Sequence, residues 1–368
     1  MGELLRHRGI NHPVIVNALM PLIHDRPTGG SVYNRQVLGH LAASMQVELH
    51  LDSPAVDRSR WAGGLWLVDS LCLDSGAAHI EQCPDAVAVL IAHYLHVLDP
   101  RRQFSRRAAA ELEMMKRYRA VVATSRFVDS ALPTAGFRGE VEVIPPGLEA
   151  YYRKPDHRQV RQNPAILTVA SVVPSKGLME MLRGLETSSG LDWRWEIVGD
   201  TQLDASFYRE FRECLDRSPV RDRIVMRGAL PEPEVAAAYD RCDVFALPSR
   251  FETCSMATME AMARGLPVAA FRVGGLPDLL PEISRQMLAQ PDDVSGLMET
   301  LRLFLTDAGC RQRLGEANRK ASESFLSWEE SSFALVRLLR RISPQTEVRR
   351  ATQLSGRAGP AHLKGSQR

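Results

Sequence analysis

Two glutamates, Glu252 and Glu260, stand eight positions apart in FETCSMATMEAMARGLPV (251–268). Ahead of them DVFALPS (243–249) is an apolar run ending in polar residues, and SMATMEAMARG reads as a helix with Ser255 near its N-cap and Gly265 as its stop. Glu252 then falls in the turn after a strand and Glu260 on the helix. A helix N-terminus offers free amides and about half a positive charge, which suits a phosphate. Carboxylates repel phosphate, so hydroxyls are their natural partners; an ionised carboxylate accepts two hydrogen bonds and can hold a vicinal diol. A diol, a diphosphate and a second diol make a nucleotide sugar. The spacing equally fits a solvated turn acid followed by a helix acid favoured by the dipole, and alone it leaves both readings open.

Other candidates occupy similar places. Lys176 in PSKG follows an apolar run, with Gly177 letting the backbone turn into the next helix. A cation at a helix start opposes the dipole, which favours a functional reason for it. Gly29 and Gly30 in PLIHDRPTGGSVYN (21–34) allow a close backbone approach, with Ser31 expected to start a helix. The loop lacks the G-x-G-x-x-G of a dinucleotide site. His93 ends AVAVLIAH (86–93), with His96 close behind; a lone histidine there is as readily structural. Segment 101–119 carries seven basic and two acidic residues, with Phe104, Ala108, Leu112 and Met115 on one helical face. Such a helix can lie on an anionic membrane, or it can pack its apolar face inward and solvate its charges.

The elements that must position these residues repeat along the chain. Runs at 14–20, 47–52, 65–71, 86–93, 120–125 and 141–147, then at 165–171, 195–200, 223–229, 243–249 and 267–271, are short and apolar, with helical patterns between them. They fit parallel strands buried on both faces. Two doubly wound α/β domains follow, with ligands beyond the carboxyl ends of the strands. Segment 145–164 is rich in proline and charge, as a linker should be. Helices follow residue 271, with Asp292 and Ser327 where N-caps belong. In 368 residues, 46 basic and 44 acidic groups give no push toward nucleic acid. Cys72, Cys83, Cys214, Cys242, Cys254 and Cys310 form no C-x-x-C pair and read as reduced thiols. The start lacks a secretory apolar core and no run reaches about 18 apolar residues, so a cytoplasmic protein is expected, with the inner face of a membrane as its other location.

On these residues the chain resembles family 4 retaining glycosyltransferases of the GT-B architecture. LPSRFETCSMATMEAMARGLPVAAFRVGGLPDLL (247–280) is similar to that family's E-x7-E block. TGGSVYN, VIPPG, VASVVPSKG, WEIVGD, VMRG and YDRCDVFALPS match in order, and the resemblance covers roughly residues 14–342. It implies two Rossmann-like domains facing a cleft, and transfer of a sugar from a nucleotide diphosphate sugar to a glycan, lipid or small-molecule hydroxyl with retention of configuration. By the same resemblance Glu252 holds the transferred sugar, Glu260 the ribose diol, and amides of Cys254, Ser255 and Met256 the β-phosphate; the alternative for Ser255 is that it only caps its helix. Lys176 and Gly177 fall on the diphosphate, Gly29 and Gly30 beside it, and His93 near the reacting centre, for positioning or as a base. Where the family reads G-R-x4-K-G this chain has Ser171, so the usual arginine is absent; Arg227 is the substitute expected, and 227–231 the base-binding loop. No cofactor and no metal is implied, and DRCD (240–243) reads as structural.

The expected organisation is an extension at 1–13, an acceptor domain at 14–160, a nucleotide-sugar domain at 161–325, a helix at 326–343 packing back on the first domain, and a disordered basic tail at 344–368. The same residues would serve an epimerase or hydrolase of this architecture, or a binding subunit that has lost activity with the arginine.

Overall fold

A computed structural model describes residues 14–53, 58–153, 163–188 and 190–343. The expected extension, the tail and much of the linker lie outside them.

All eleven apolar runs are strands. The first lobe carries β1 (Ile15–Met20), β2 (Gln46–Leu51), β3 (Leu65–Asp69), β4 (Val87–Ala92), β5 (Ala120–Ala123) and β6 (Val141–Val143) in one parallel sheet of order β2-β1-β3-β4-β5-β6. The second carries β7 (Ala165–Val169), β8 (Arg194–Val198), β9 (Ile224–Gly228), β10 (Val244–Leu247) and β11 (Val268–Ala270) in the order β11-β10-β7-β8-β9, again parallel. Central strands such as β3, β5 and β10 are buried along their whole length, because helices cover both faces. The edge strand β2 leaves Leu49 and Leu51 exposed.

One continuous core runs through the second lobe, whereas the first lobe has two, one on each face of its sheet. The last helix, Trp328–Ile342, supplies Trp328, Leu335, Val336, Leu338, Leu339 and Ile342 to one of the latter two. Ser327 starts it with a full capping box: its hydroxyl accepts from Glu330 N, and the Glu330 carboxylate accepts from Ser327 N at 2.7 Å. Trp328 meets Tyr33 edge to face at 5.8 Å, and the Tyr33 hydroxyl donates to the Ile144 carbonyl at 2.9 Å. Gly147 passes so close that a Cβ there would strike the Trp328 backbone.

Two caps differ from expectation. The helix Val294–Thr306 is capped by Asp293, whose carboxylate accepts from Gly296 N at 2.9 Å; Asp292, at φ +62°, is the left-handed turn residue before it. The first helix runs from Gly29, not Ser31, because Thr28 caps it by accepting from Ser31 N at 3.2 Å.

Truncating Trp328 to Ala should destabilise the first lobe by about 3–5 kcal/mol, the usual penalty for emptying a buried aromatic site. Urea unfolding read from first-lobe signals measures this; an unchanged midpoint would remove the helix from that core.

Candidate active site

The carboxyl ends of the two sheets face each other, and the chain joins them at a few polar contacts. The Thr253 hydroxyl donates to the His93 carbonyl at 2.6 Å, and the Ser125 hydroxyl donates to the Thr253 carbonyl at 2.6 Å. Arg26 pairs with Asp200 at 3.0 Å, and Arg101 donates to the Arg250 carbonyl at 2.5 Å. Between the lobes lie two adjoining cavities, of about 710 Å³ and about 390 Å³. Gly29, Lys176, Glu252, Cys254 and Met256 line both.

Glu252 sits in the loop after β10 and accepts from the Lys176 ammonium at 2.6 Å. Lys176 ends a short turn, Pro174–Lys176, which Gly177 terminates at φ +65°; a Cβ there would run into the Pro248 carbonyl. Gly177 therefore shapes the backbone behind the cavities and lines neither of the two. The loop is held from the other side by Gly275, whose amide donates to the Glu252 carbonyl at 2.9 Å.

Ser255 caps the helix Met256–Ala263 and accepts from Thr258 N at 3.3 Å. Burial, with the Glu252 charge adding to it, pushes the neighbouring Cys254 thiol up to about 12, so it stays protonated. Glu260 lies one turn along the helix and faces the smaller cavity. Its carboxylate accepts from the Tyr239 hydroxyl at 2.8 Å, a hydroxyl also 3.0 Å from the Ala257 carbonyl, and Tyr152 bonds it as well. Burial pushes this carboxyl up to about 7, against the opposing pull of the Tyr239 hydrogen bond.

His93 follows β4 and lines the larger cavity beside Gly30, where an added Cβ would stand 3.3 Å from the ring. Its Nε2 is 2.8 Å from Asn34 Oδ1 and 3.7 Å from the Asp69 carboxylate, and burial lowers its pKa while Asp69 opposes that. Asn34 donates in turn to Asp69 at 2.6 Å.

Arg227 corrects an expectation. It lies within β9 rather than after it, pairs with Glu196 at 3.4 Å and lines neither cavity; of the expected loop 227–231 Leu230 lines the smaller one, beside Glu232 just beyond it. Ser171 faces that cavity, and Lys176 is the one cation among its described lining, against Glu149, Glu232, Glu252 and Glu260. Arg101, Arg102 and Arg250 line the larger cavity instead. Segment 101–119 also differs in part. Its helix spans Arg106–Met115, with Ala108 and Met115 buried and Leu112 packed on the core, while Phe104 lies ahead of the cap and is 92% exposed. Arg107 pairs with Asp74 at 2.6 Å, and Arg117 with Glu81 at 3.2 Å.

Asn34, Asp69, Tyr152 and Tyr239 were missed in the sequence. Asp69 left a signal, a carboxylate closing an otherwise apolar strand, and Tyr151–Tyr152 left another, an aromatic pair inside a segment read as linker. Asp240 and Asp243 are structural: one pairs with Arg264 at 2.8 Å, the other accepts from Ala165 N at 2.9 Å. Among the described residues no cluster of His, Cys, Asp and Glu could hold a metal, and no helix is long and apolar enough to cross a membrane.

Known structures share this arrangement. A sucrose-phosphate synthase from Thermosynechococcus elongatus superposes with a TM-score of 0.74 over 89% of this chain and 99% of that one, at 18% identity. Anabaena Alr3699/HepE, solved with UDP-glucose, gives 0.73 over 90% and 100%, at 18% identity. The fold is GT-B. Residues 163–307, most of the second lobe, match the family described as Glycosyl transferases group 1. Among curated relatives, the sulfoquinovosyl transferase SQD2 of Arabidopsis thaliana is 36% identical over 31% of this chain and 23% of its own length. The 2-deoxystreptamine glucosyltransferase of Streptomyces kanamyceticus is 29% identical over 55% and 52%. The chain thus spans about half the length of these relatives or less. In this GT-B frame Lys176, Glu252 and Glu260 all sit on the second lobe's side of the cleft.

The raised pKa of Glu260 has a measurable consequence. Folded, this carboxyl holds its proton up to about 7, above its ordinary 4.5, so its contribution to stability is complete below pH 4.5 and lost as pH rises through 7. Glu260→Gln removes that slope. Chemical denaturation across the window should show wild type losing stability relative to the variant; parallel curves would contradict the assignment.

Proposed function

We propose that the protein transfers a sugar from a nucleotide diphosphate sugar to an acceptor hydroxyl, with retention of anomeric configuration. The observation that carries this reading is the Lys176–Glu252 pair on the wall shared by the two cavities, with Glu260 in the smaller one. The smaller cavity takes the nucleotide: Glu260 accepts from the ribose diol, with the Leu230–Glu232 stretch beside the base. The diphosphate lies between Lys176 and the amides of Cys254, Ser255 and Met256, at the start of a capped helix. Glu252 then holds hydroxyls of the sugar, which projects into the larger cavity toward His93 and the acceptor.

Charge decides the chemical step. The departing diphosphate gains negative charge, and Lys176 with the helix amides is preorganised to meet it in a site that domain closure keeps dry. The same phosphate can take the acceptor proton on that face, which is the course retention requires without a protein nucleophile. Lys176 leaves its pair with Glu252 as the diphosphate arrives, freeing the carboxylate for the sugar. The charge on Lys176 makes this a metal-independent reading. Support for the donor class comes from the fold shared with a protein solved with UDP-glucose. The acceptor enters over Arg101 and Arg102, and exposed Phe104 beside them is the residue through which 101–119 would touch a membrane carrying a lipid acceptor.

Two experiments test this. Thermal shift against a panel of nucleotide diphosphate sugars should find a stabilising donor, and a panel without one would overturn the reading. With that donor, Lys176→Ala and Glu252→Ala should each lower kcat on the order of 10²- to 10³-fold, the usual loss for a preorganised stabiliser, and a chelator should leave the rate unchanged. Free epimer or rapid hydrolysis without acceptor would favour the epimerase or hydrolase, and tight donor binding without turnover the inactive binding subunit.

A further inference from the structure

His93 lines the larger cavity, and the groups around its ring decide where its proton sits. The chain of reasoning begins at Asp69, which is 2% exposed and ends β3. An ionised carboxylate can only accept hydrogen bonds. Its Oδ1 takes the Leu71 amide at 2.7 Å, and its Oδ2 lies 2.6 Å from the Asn34 side chain. The Asn34 group facing Asp69 must therefore be its NH2, which turns Oδ1 of the fully buried Asn34 toward His93. That oxygen is also only an acceptor, so His93 Nε2, 2.8 Å away, must carry hydrogen. In the neutral ring Nδ1 is then a bare lone pair.

We infer that Asn34 and Asp69 are positioning residues that hold His93 as its Nε2–H tautomer, leaving Nδ1 as an acceptor toward the cleft for a donor group such as a sugar hydroxyl. Nδ1 has no protein hydrogen-bond partner among the described residues, and the ring lines the larger cavity. The ring cannot swing away to change this. Tyr33 packs edge-on at 5.0 Å, and Gly30 comes so near the ring that a Cβ there would stand 3.3 Å from it. The Ser70 hydroxyl accepts the His93 amide at 3.1 Å and the Tyr94 amide at 3.2 Å, which fixes the backbone beneath the ring. Burial keeps the ring neutral, so the lone pair persists at neutral pH. A ligand atom meeting Nδ1 must donate: a hydroxyl fits, whereas a phosphate or carboxylate oxygen is repelled. The tautomer stands on this geometry alone; that the hydroxyl belongs to a sugar rests on the proposed function.

The test uses the full chain with 15N-labelled histidine and two-bond proton–nitrogen correlation, the His93 signal being assigned by its loss in His93→Gln. At neutral pH it should show a neutral ring protonated at Nε2. In Asp69→Asn the Asn34 amide is free to turn over, and a population protonated at Nδ1 should appear; Asn34→Asp still presents an acceptor and should keep the Nε2–H form. If Asp69→Asn does not fold, Asn34→Leu, which removes the oxygen facing Nε2, is read in the same way. With an identified donor, Asp69→Asn should lower kcat/KM on the order of 10-fold, as expected for the loss of one oriented hydrogen-bond acceptor. Protonation at Nδ1 in wild type, or a tautomer indifferent to Asp69→Asn and Asn34→Leu, overturns the inference. Nε2 protonation in a chain that uses no nucleotide sugar would uphold it and sink the proposed function.

Discussion

Both sides of the cleft depend on one residue that carries no charge. Thr253 stands between Glu252 and Cys254, gives its hydroxyl to the His93 carbonyl and takes the Ser125 hydroxyl on its own carbonyl. The loop that presents Glu252 is thereby registered against the strand end that presents His93, across two separately folded sheets. Gly275 closes the other side of that loop, where a Cβ would meet the Thr253 carbonyl.

The two cavities divide by charge. The smaller presents four carboxylates and one ammonium, the larger three guanidinium groups and the same ammonium against Asp69, Asp99 and Glu252. Where an arginine at position 171 would have stood, Ser171 leaves Lys176 as the smaller cavity's cation. At the mouth of the larger cavity Arg101, Arg102 and Arg250 are partly held by Asp99, Asp292 and Glu180.

Much of this was legible in the sequence for a plain physical reason. Parallel strands buried on both faces must be continuous apolar runs, so the central strands could be read directly, and the edge strands β2, β6 and β9 from their place in the repeat. Glu252, Glu260 and Lys176 stood out because charge after such a run is conspicuous. Asn34 and Tyr239 were not legible, since each sits on a helix whose pattern gives no sign that its polar end is turned onto another element. Arg227 misled because one residue decides whether a side chain belongs to a strand or to the loop beyond it, and β9 runs on through Gly228. The apolar stripe of 101–119 was real, but pattern alone could not tell a core from a membrane; the core took Ala108 and Met115.

The helix Trp328–Ile342 gives the first lobe a discontinuous make-up. Six of its side chains fill a core whose other buried members run from Val16 to Ile144, yet the whole second lobe intervenes. During synthesis the second lobe can therefore complete its packing while one face of the earlier sheet still waits for its cover. The sheet bearing His93 thus gains its full cover only once residues 328–342 have been made.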